Sequence, residues 1–197
     1  MLYTTYGVDT SRLYPEMVIA SATKDLVEKK LIFQYLNIYS KANPDFARMA
    51  VNTFMKDSVS NDPAVRALAV KRLSDLRFKG REEYLMPVLK KGLQDYNPNG
   101  KKACLMGITK LITEQNRVLE EPGRDEELLN SLYGMIRDND PNVVCCVMEA
   151  INEIEPEGIA MSKKLTHYIM KNLQIFGEYQ LPTILNYVEL YDPKTEE

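Results

Sequence analysis

Asn61-Asp62-Pro63-Ala64-Val65-Arg66-Ala67-Leu68-Ala69-Val70 reads as the start of a helix. Asp62 carries the kind of side chain that accepts from the free backbone N–H groups of a first turn. Pro63 stands at the first helical position, where its missing N–H costs nothing. Val65, Leu68, Ala69, Leu73 and Leu76 then return at the spacing of one helix face, so residues 63 to about 77 are expected to form an amphipathic helix. Arg72 interrupts that stripe, and its guanidinium is expected to reach the rim or to meet an acidic partner from an adjacent repeat.

The same device recurs as Asn97-Pro98-Asn99-Gly100-Lys101-Lys102-Ala103-Cys104-Leu105 and as Asp140-Pro141-Asn142-Val143-Val144-Cys145-Cys146-Val147-Met148. Pro63 and Pro98 are 35 positions apart, Pro98 and Pro141 43. A period near 40 with a helix ahead of each copy is the pattern of stacked helical pairs. The expected fold is therefore all-α: an α-solenoid of HEAT/armadillo-like helical pairs, about five of them, with residues 1–197 as a single α-solenoid segment.

The remaining helices fall around these anchors. A short helix is expected over 13–22. A long one follows to about 41, capped by Thr23-Lys24-Asp25, with Val27, Leu31, Tyr35, Leu36, Ile38 and Tyr39 as a wide apolar stripe. Asn43-Pro44-Asp45 opens the next, to about 58. Residues 82–95 read as helical with Leu85, Val88, Leu89 and Leu93 aligned, and Pro87 inside implies a kink or a late start. A helix over 98–113 is followed by the longest loop, 114–124, which contains Glu120-Glu121-Pro122-Gly123. Residues 125–137 and 141–153 make a pair, and 162–175 and 178–191 a last one joined at Gly177. Val65, Leu68, Leu105, Ile108, Val144, Val147 and Ile151 are the expected core between pairs. Leu2, Tyr3 and Tyr6 at one end, and Leu185, Tyr187 and Val188 at the other, are expected apolar surface of a repeat without a neighbour.

The net charge of −3 conceals an asymmetry. Up to Lys102 there are 17 Lys/Arg against 11 Asp/Glu, a net of +6, and from Ala103 onward 8 against 17, a net of −9. A basic first half suits an acidic membrane or an acidic protein surface; equally, such charges solvate outer helix faces. Nucleic acid is disfavoured, because the basic residues are scattered through helices without interleaved aromatics or a reading motif. No apolar run approaches the roughly 20 residues of a bilayer span, and no signal peptide is visible. Cys104, Cys145 and Cys146 lack metal-ligand or disulfide spacing and read as small buried or half-buried thiols.

Nothing in the chain assembles a catalytic centre. The single histidine, His167, has no cysteine or carboxylate at helical ligand spacing. Glu82-Glu83 and Glu126-Glu127 sit at helix starts, where the helix dipole favours negative charge. Asp138-Asn139-Asp140 has the opening of a calcium loop but lacks its glycine and distal glutamate, and Pro141 turns it into a helix, so capping is the better account. No catalytic residue, cofactor or metal is expected. One face does stand out. On the helix from 44 to 57, Phe46, Met49, Ala50, Thr53 and Phe54 take the inward stripe, leaving Arg48, Val51, Asn52 and Met55 opposite. Two apolar residues on a face meant for water mark either a partner patch or a surface covered by an adjacent repeat.

Taken in order, Asp25-Leu26-Val27-Glu28-Lys29-Lys30-Leu31, Asn43-Pro44-Asp45, Ala50-Val51-Asn52-Thr53-Phe54, Lys56-Asp57, Asn61-Asp62-Pro63 and Arg66-Ala67-Leu68-Ala69-Val70 resemble the β-adaptins, large subunits of clathrin-adaptor-type heterotetramers. The likeness continues through Glu83-Tyr84-Leu85, Arg137-Asp138-Asn139-Asp140-Pro141-Asn142-Val143-Val144 and Leu190-Tyr191-Asp192-Pro193-Lys194, and so spans nearly the whole chain. Ser21-Ala22-Thr23-Lys24-Asp25-Leu26-Val27 is most similar to the β subunits of the fourth adaptor complex.

The resemblance implies an N-terminal trunk segment of a longer, non-enzymatic coat subunit for vesicle-mediated transport and cargo sorting. It implies as partners a second large, a medium and a small chain, and an Arf-class GTPase. It also implies peripheral membrane association through the complex, at Golgi, trans-Golgi-network or endosomal membranes. In the family, the helix matching 44–57 belongs to the outer trunk surface on which the activated GTPase docks. Val51 therefore carries over as a contact, with Arg48, Asn52 and Met55 at its flank. Arg48 replaces the apolar residue usual there. The alternative from another class is a HEAT-repeat scaffold of nuclear-transport or phosphatase-regulatory type, which repeat physics alone does not separate.

Overall fold

The computed structural model describes residues 6–40, 44–76, 78, 80–118, 126–155 and 157–191. Among them are ten α-helices and no strand. They are α1 (Tyr14–Ala20), α2 (Leu26–Ser40), α3 (Pro44–Asp57), α4 (Pro63–Asp75), α5 (Glu82–Gly92), α6 (Pro98–Val118), α7 (Glu126–Met135), α8 (Pro141–Ile154), α9 (Lys163–Lys171) and α10 (Leu181–Glu189). Two short 3-10 turns, Ser11–Leu13 and Leu173–Ile175, accompany them. The chain divides into two compact units, residues 1–111 and 112–197. No described helix is long and apolar enough to cross a membrane.

Three helix starts share one construction. A polar side chain three residues before the proline accepts from a backbone N–H two residues on: Ser60 from Asp62, Asp95 from Asn97 and Asp138 from Asp140. The residue just before the proline then accepts from the helix itself: Asp62 from the Ala64 N–H at 2.8 Å, Asn97 from Asn99 at 2.9 Å and Asp140 from Asn142 at 2.8 Å. Two successive side-chain turns thus bend the chain and satisfy donors that a helix start leaves orphaned. The repeat seen in the sequence is a repeat of this turn. It also confirms that Asp138-Asn139-Asp140 caps a helix.

In the first unit α1 packs on α2 and α3, α2 on α3 and α4, and α4 on α5. Tyr14 stacks on Phe46 with ring centroids 4.3 Å apart, and Phe33 meets Phe54 edge-on at 4.7 Å. Phe33, Leu36, Phe54, Leu76, Leu85 and Leu89 are fully enclosed. Burying each such side chain contributes about 1.5–3 kcal/mol. Gly107 lets α6 approach its neighbours, since a Cβ there would lie 2.5 Å from Ser74 Oγ and 2.7 Å from Leu89 Cδ2. In the second unit α7 packs on α8, whose Val143, Val144, Val147, Met148 and Ile151 are all buried. Ser162 caps α9 by accepting from Leu165, and Pro182 sits in the first turn of α10.

Several expectations need correction. On α2 the buried residues are Lys29, Ile32, Phe33, Tyr35, Leu36, Asn37 and Ser40, while Val27, Leu31 and Ile38 face solvent. The stripe is rotated because polar partners compensate an interior lysine. Lys29 Nζ donates to Ser21 O at 2.8 Å and to Asp57 Oδ2 at 2.6 Å. Leu68 is half-buried rather than core. Among the described residues Arg72 pairs with no acid from another repeat; its guanidinium lies 3.7 Å from Asp75, one turn on along α4, and Lys110 of α6 shares that carboxylate at 2.6 Å. Pro87 lies inside α5, which starts at Glu82, so there is no late start. α6 continues to Val118, five residues into the expected loop, whose remainder (119–124) lies outside the described residues. The helix expected over 162–175 ends at Lys171 and gives way to a 3-10 turn. Leu2 and Tyr3 lie outside the described residues; Tyr6 and Leu185 are exposed, and Tyr187 and Val188 half-buried.

Candidate functional site

The face singled out in the sequence lies on α3. Asp45 in its first turn and Lys56 in its last place charges in the sense that the helix dipole favours. Its buried side is Ala47, Ala50, Val51 and Phe54. Two alanines in that set let α3 sit close to α2 and α4, and this close approach turns the helix away from the phase that the larger Phe46 and Met49 suggest. The surface therefore differs from the expected one. Val51 is 3% exposed and belongs to the core, Met55 is half-buried, and Met49, assigned inward, is 41% exposed. Arg48 and Asn52 do face solvent.

Arg48 donates to Asp45 Oδ1 at 3.0 Å across one turn, with both side chains largely in water. Such a pair contributes little to stability, and the guanidinium remains available to a partner. The outward face is thus polar and positively charged, with Arg48, Asn52 and Lys56 one turn apart in succession and Met49 beside them. Of the four candidate residues, the fold brings Arg48 and Asn52 to the surface together, leaves Met55 at their edge and withdraws Val51. Sequence reading missed Met49 and Lys56. The alternation of alanine with large residues at 47, 50 and 54 was the signal for the true phase.

Nothing in the described residues resembles a reaction centre. No three His, Cys, Asp or Glu side chains there come together as a metal site. His167 is exposed on α9. Cys104, Cys145 and Cys146 are free thiols, and burial pushes Cys104 up to about 12 and Cys145 up to about 11, which leaves both protonated and unreactive near neutrality. Tyr14 is likewise raised by burial. The strongest electrostatic feature is structural. Arg66 grips Asp95 with two parallel bonds of 2.8 Å, Nε to Oδ2 and the second terminal nitrogen to Oδ1. That contact holds the Asp95 carboxyl below the ordinary carboxylate range. The other terminal nitrogen of Arg66 donates to Ser60 O and Asn61 O at 2.8 and 3.0 Å, so one side chain ties together the turns ahead of α4 and α6.

Residues 1–197 match the family model described as the adaptin N-terminal region. The chain is 32% identical to AP-4 complex subunit beta-1 of Mus musculus over 98% of its own length and 26% of that protein's. It is 30% identical to AP-4 complex subunit beta of Dictyostelium discoideum over 99% of its length and 23% of that protein's. To AP-1 complex subunit beta-1 of Homo sapiens the identity is 38%, over 76% of this chain and 15% of the relative. The chain thus spans about a quarter or less of the length of these relatives.

Proposed function

We propose, from the premise that this chain belongs to the adaptin N-terminal-region family and is an N-terminal piece of a β-adaptin, that it serves as a non-enzymatic scaffold within an adaptor-protein coat. Residues 1–197 are then one segment of the helical trunk, assembling with a second large, a medium and a small chain. The protein would associate peripherally, through that complex, with Golgi, trans-Golgi-network or endosomal membranes, in vesicle-mediated transport and cargo sorting. One observation carries this reading: the likeness to β subunits of adaptor complexes runs through almost the entire chain. Helical repeats offer extended surface without a reaction centre, which suits such a role. The nuclear-transport and phosphatase-scaffold alternative has no observation in its favour.

On the same premise α3 presents its outward residues to an Arf-class GTPase. With Val51 withdrawn into the core, Arg48 and Asn52 make the contact, and Met55 lies at its edge. Co-purification of the tagged full-length protein tests the assembly, with medium and small adaptor subunits expected. Importin cargo or phosphatase subunits in their place would overturn it. For the GTPase, Arg48→Glu in the assembled complex should reduce recruitment by the GTP-loaded form while leaving assembly intact; undiminished recruitment would remove this face from consideration.

A further inference from the structure

Residues 158–177 invert the charge of the unit that contains them. The second unit, 112–197, carries 7 Lys/Arg against 17 Asp/Glu, a net of −10. Within it, 158–177 holds three lysines, the chain's single histidine and no carboxylate. Ser162 caps α9 immediately before Lys163 and Lys164, and the buried Ile169 fixes which side of the helix turns inward. Lys164, His167, Met170 and Lys171 are left exposed on the outer side. Lys171 stands in the last turn, where the helix dipole favours a cation, but Lys163 and Lys164 stand in the first, where it opposes one. Helix stability therefore does not account for this basic face.

A further cation arrives from another element. Ile136, fully buried, anchors the turn that follows α7. The next residue, Arg137, is exposed and holds its guanidinium 5.8 Å from the ring centre of Tyr168 on α9. That is within reach of a cation–π contact, which orients the guanidinium against the ring and leaves its N–H groups able to donate. Lys164 lies one turn before Tyr168 and Lys171 one turn after it, so both side chains leave the helix beside the same ring. Neither lysine, nor Arg137, pairs with a carboxylate among the described residues. Tyr168 is half-buried, and its hydroxyl makes no hydrogen bond to another described residue. Three unmatched cations thus surround one aromatic ring with a spare hydroxyl.

We propose that this patch binds a phosphorylated serine or threonine side chain in a segment of a partner protein. A phosphate monoester carries close to two negative charges near neutrality and three acceptor oxygens. That matches converging donors from Arg137, Lys164, Lys171 and the Tyr168 hydroxyl better than the single charge of a carboxylate does. Residues flanking the phosphate lie along α9 over His167 and Met170, the latter 48% exposed. An anionic bilayer suits the patch poorly, because its extended field also meets the surrounding unit of net −10. A single phosphoryl group lies within a Debye length, about 8 Å, of the three cations and is screened from the acidic residues farther away. The proposal goes beyond the scaffold reading and does not depend on it.

The test titrates the full chain with an octapeptide that has a central phosphoserine flanked by valines and glycines. It follows the imidazole protons of His167, which as the single histidine gives one NMR signal beside the patch. A saturable shift is expected, absent with the unphosphorylated peptide. Arg137→Ala and Lys164→Ala should each weaken binding about five- to tenfold. Tyr168→Phe keeps the ring under Arg137 and removes only the hydroxyl, and should weaken it about two- to fivefold. Lys71→Ala, an exposed cation on α4 in the other unit, should change it less than about twofold. Circular dichroism melts confirm that the variants fold. The proposal is overturned if no saturable shift occurs, if the unphosphorylated peptide shifts the signal equally, or if Arg137→Ala weakens binding no more than Lys71→Ala. Inorganic phosphate binding as tightly as the phosphopeptide would overturn it in favour of a bare-anion site. It is also overturned if Arg137→Ala and Lys164→Ala release the chain from phosphatidylinositol-phosphate vesicles while peptide binding is unchanged, which would give the patch to a membrane.

Discussion

Replacing Asp95 with asparagine isolates the charge of the clamp on Arg66. Asparagine keeps an oxygen to accept from the Asn97 N–H, now at 2.9 Å, so the turn ahead of α6 survives. What is lost is the carboxylate that receives two 2.8 Å bonds from a guanidinium whose own side chain is only 11% exposed. Removing one partner of a buried pair costs about 3–5 kcal/mol, because the remaining charge stays desolvated. Here Arg66 keeps two carbonyl acceptors and the Tyr96 ring, which places the cost at the lower end, about 3 kcal/mol. For a chain of this length that corresponds to a melting temperature lower by about 6–12 °C. The assay is thermal unfolding followed by circular dichroism at 222 nm, across pH. The native Asp95 pKa is depressed, so its stabilisation is fully present above the unfolded carboxylate value, about 3.9, and is lost as pH falls through the native value. The gap between wild type and Asp95→Asn should be constant from about pH 5 to 7 and close in more acidic solution. A melting temperature within about 2 °C of wild type at pH 7 would refute the reasoning, as would a gap that persists undiminished in acid.

Three further outcomes follow from packing and burial. Leu105→Ala, at a position 1% exposed, should cost about 2–5 kcal/mol in urea unfolding, and Leu68→Ala, half-buried, distinctly less; equal losses would show that the two sites do not differ as the fold has them. Gly107→Ala gains about 1 kcal/mol of helix propensity, yet its Cβ would crowd Ser74 Oγ and Leu89 Cδ2, so a net loss of about 1–3 kcal/mol is expected and a rise in melting temperature would contradict it. With its thiol raised to about 12, Cys104 should stay unmodified by iodoacetamide at pH 8 in the folded chain and react once urea unfolds it; mass spectrometry of tryptic peptides reads both states.

Local chemistry made the helix starts legible in the sequence. A cap needs only a side chain and the backbone two or three residues on, so Asp62-Pro63, Asn97-Pro98 and Asp140-Pro141 announced three helices and their period without reference to any distant residue. The all-helical class followed from that period, and the β-adaptin likeness from the order of short motifs. On α8 the expected core residues Val144, Val147 and Ile151 are all buried, because an apolar stripe with one clear direction leaves one face to choose.

Where a helix carries apolar residues on most of its circumference, only tertiary structure chose the buried side. On α2, Val27, Leu31 and Ile38 offered a stripe as good as the one that Ile32, Phe33 and Leu36 occupy. The choice went to the face holding Lys29, because Asp57, 28 residues away in sequence, satisfies its charge. On α3 the same kind of choice drew Val51 into the core and left Arg48, Asn52 and Met49 outside, since Ala47 and Ala50 permit the closer packing. The patch of Arg137, Lys164 and Lys171 likewise exists only once the turn after α7 meets α9. Capping is settled within a few residues of chain, whereas the phase of a helix is settled by the shape and charge of whatever folds against it.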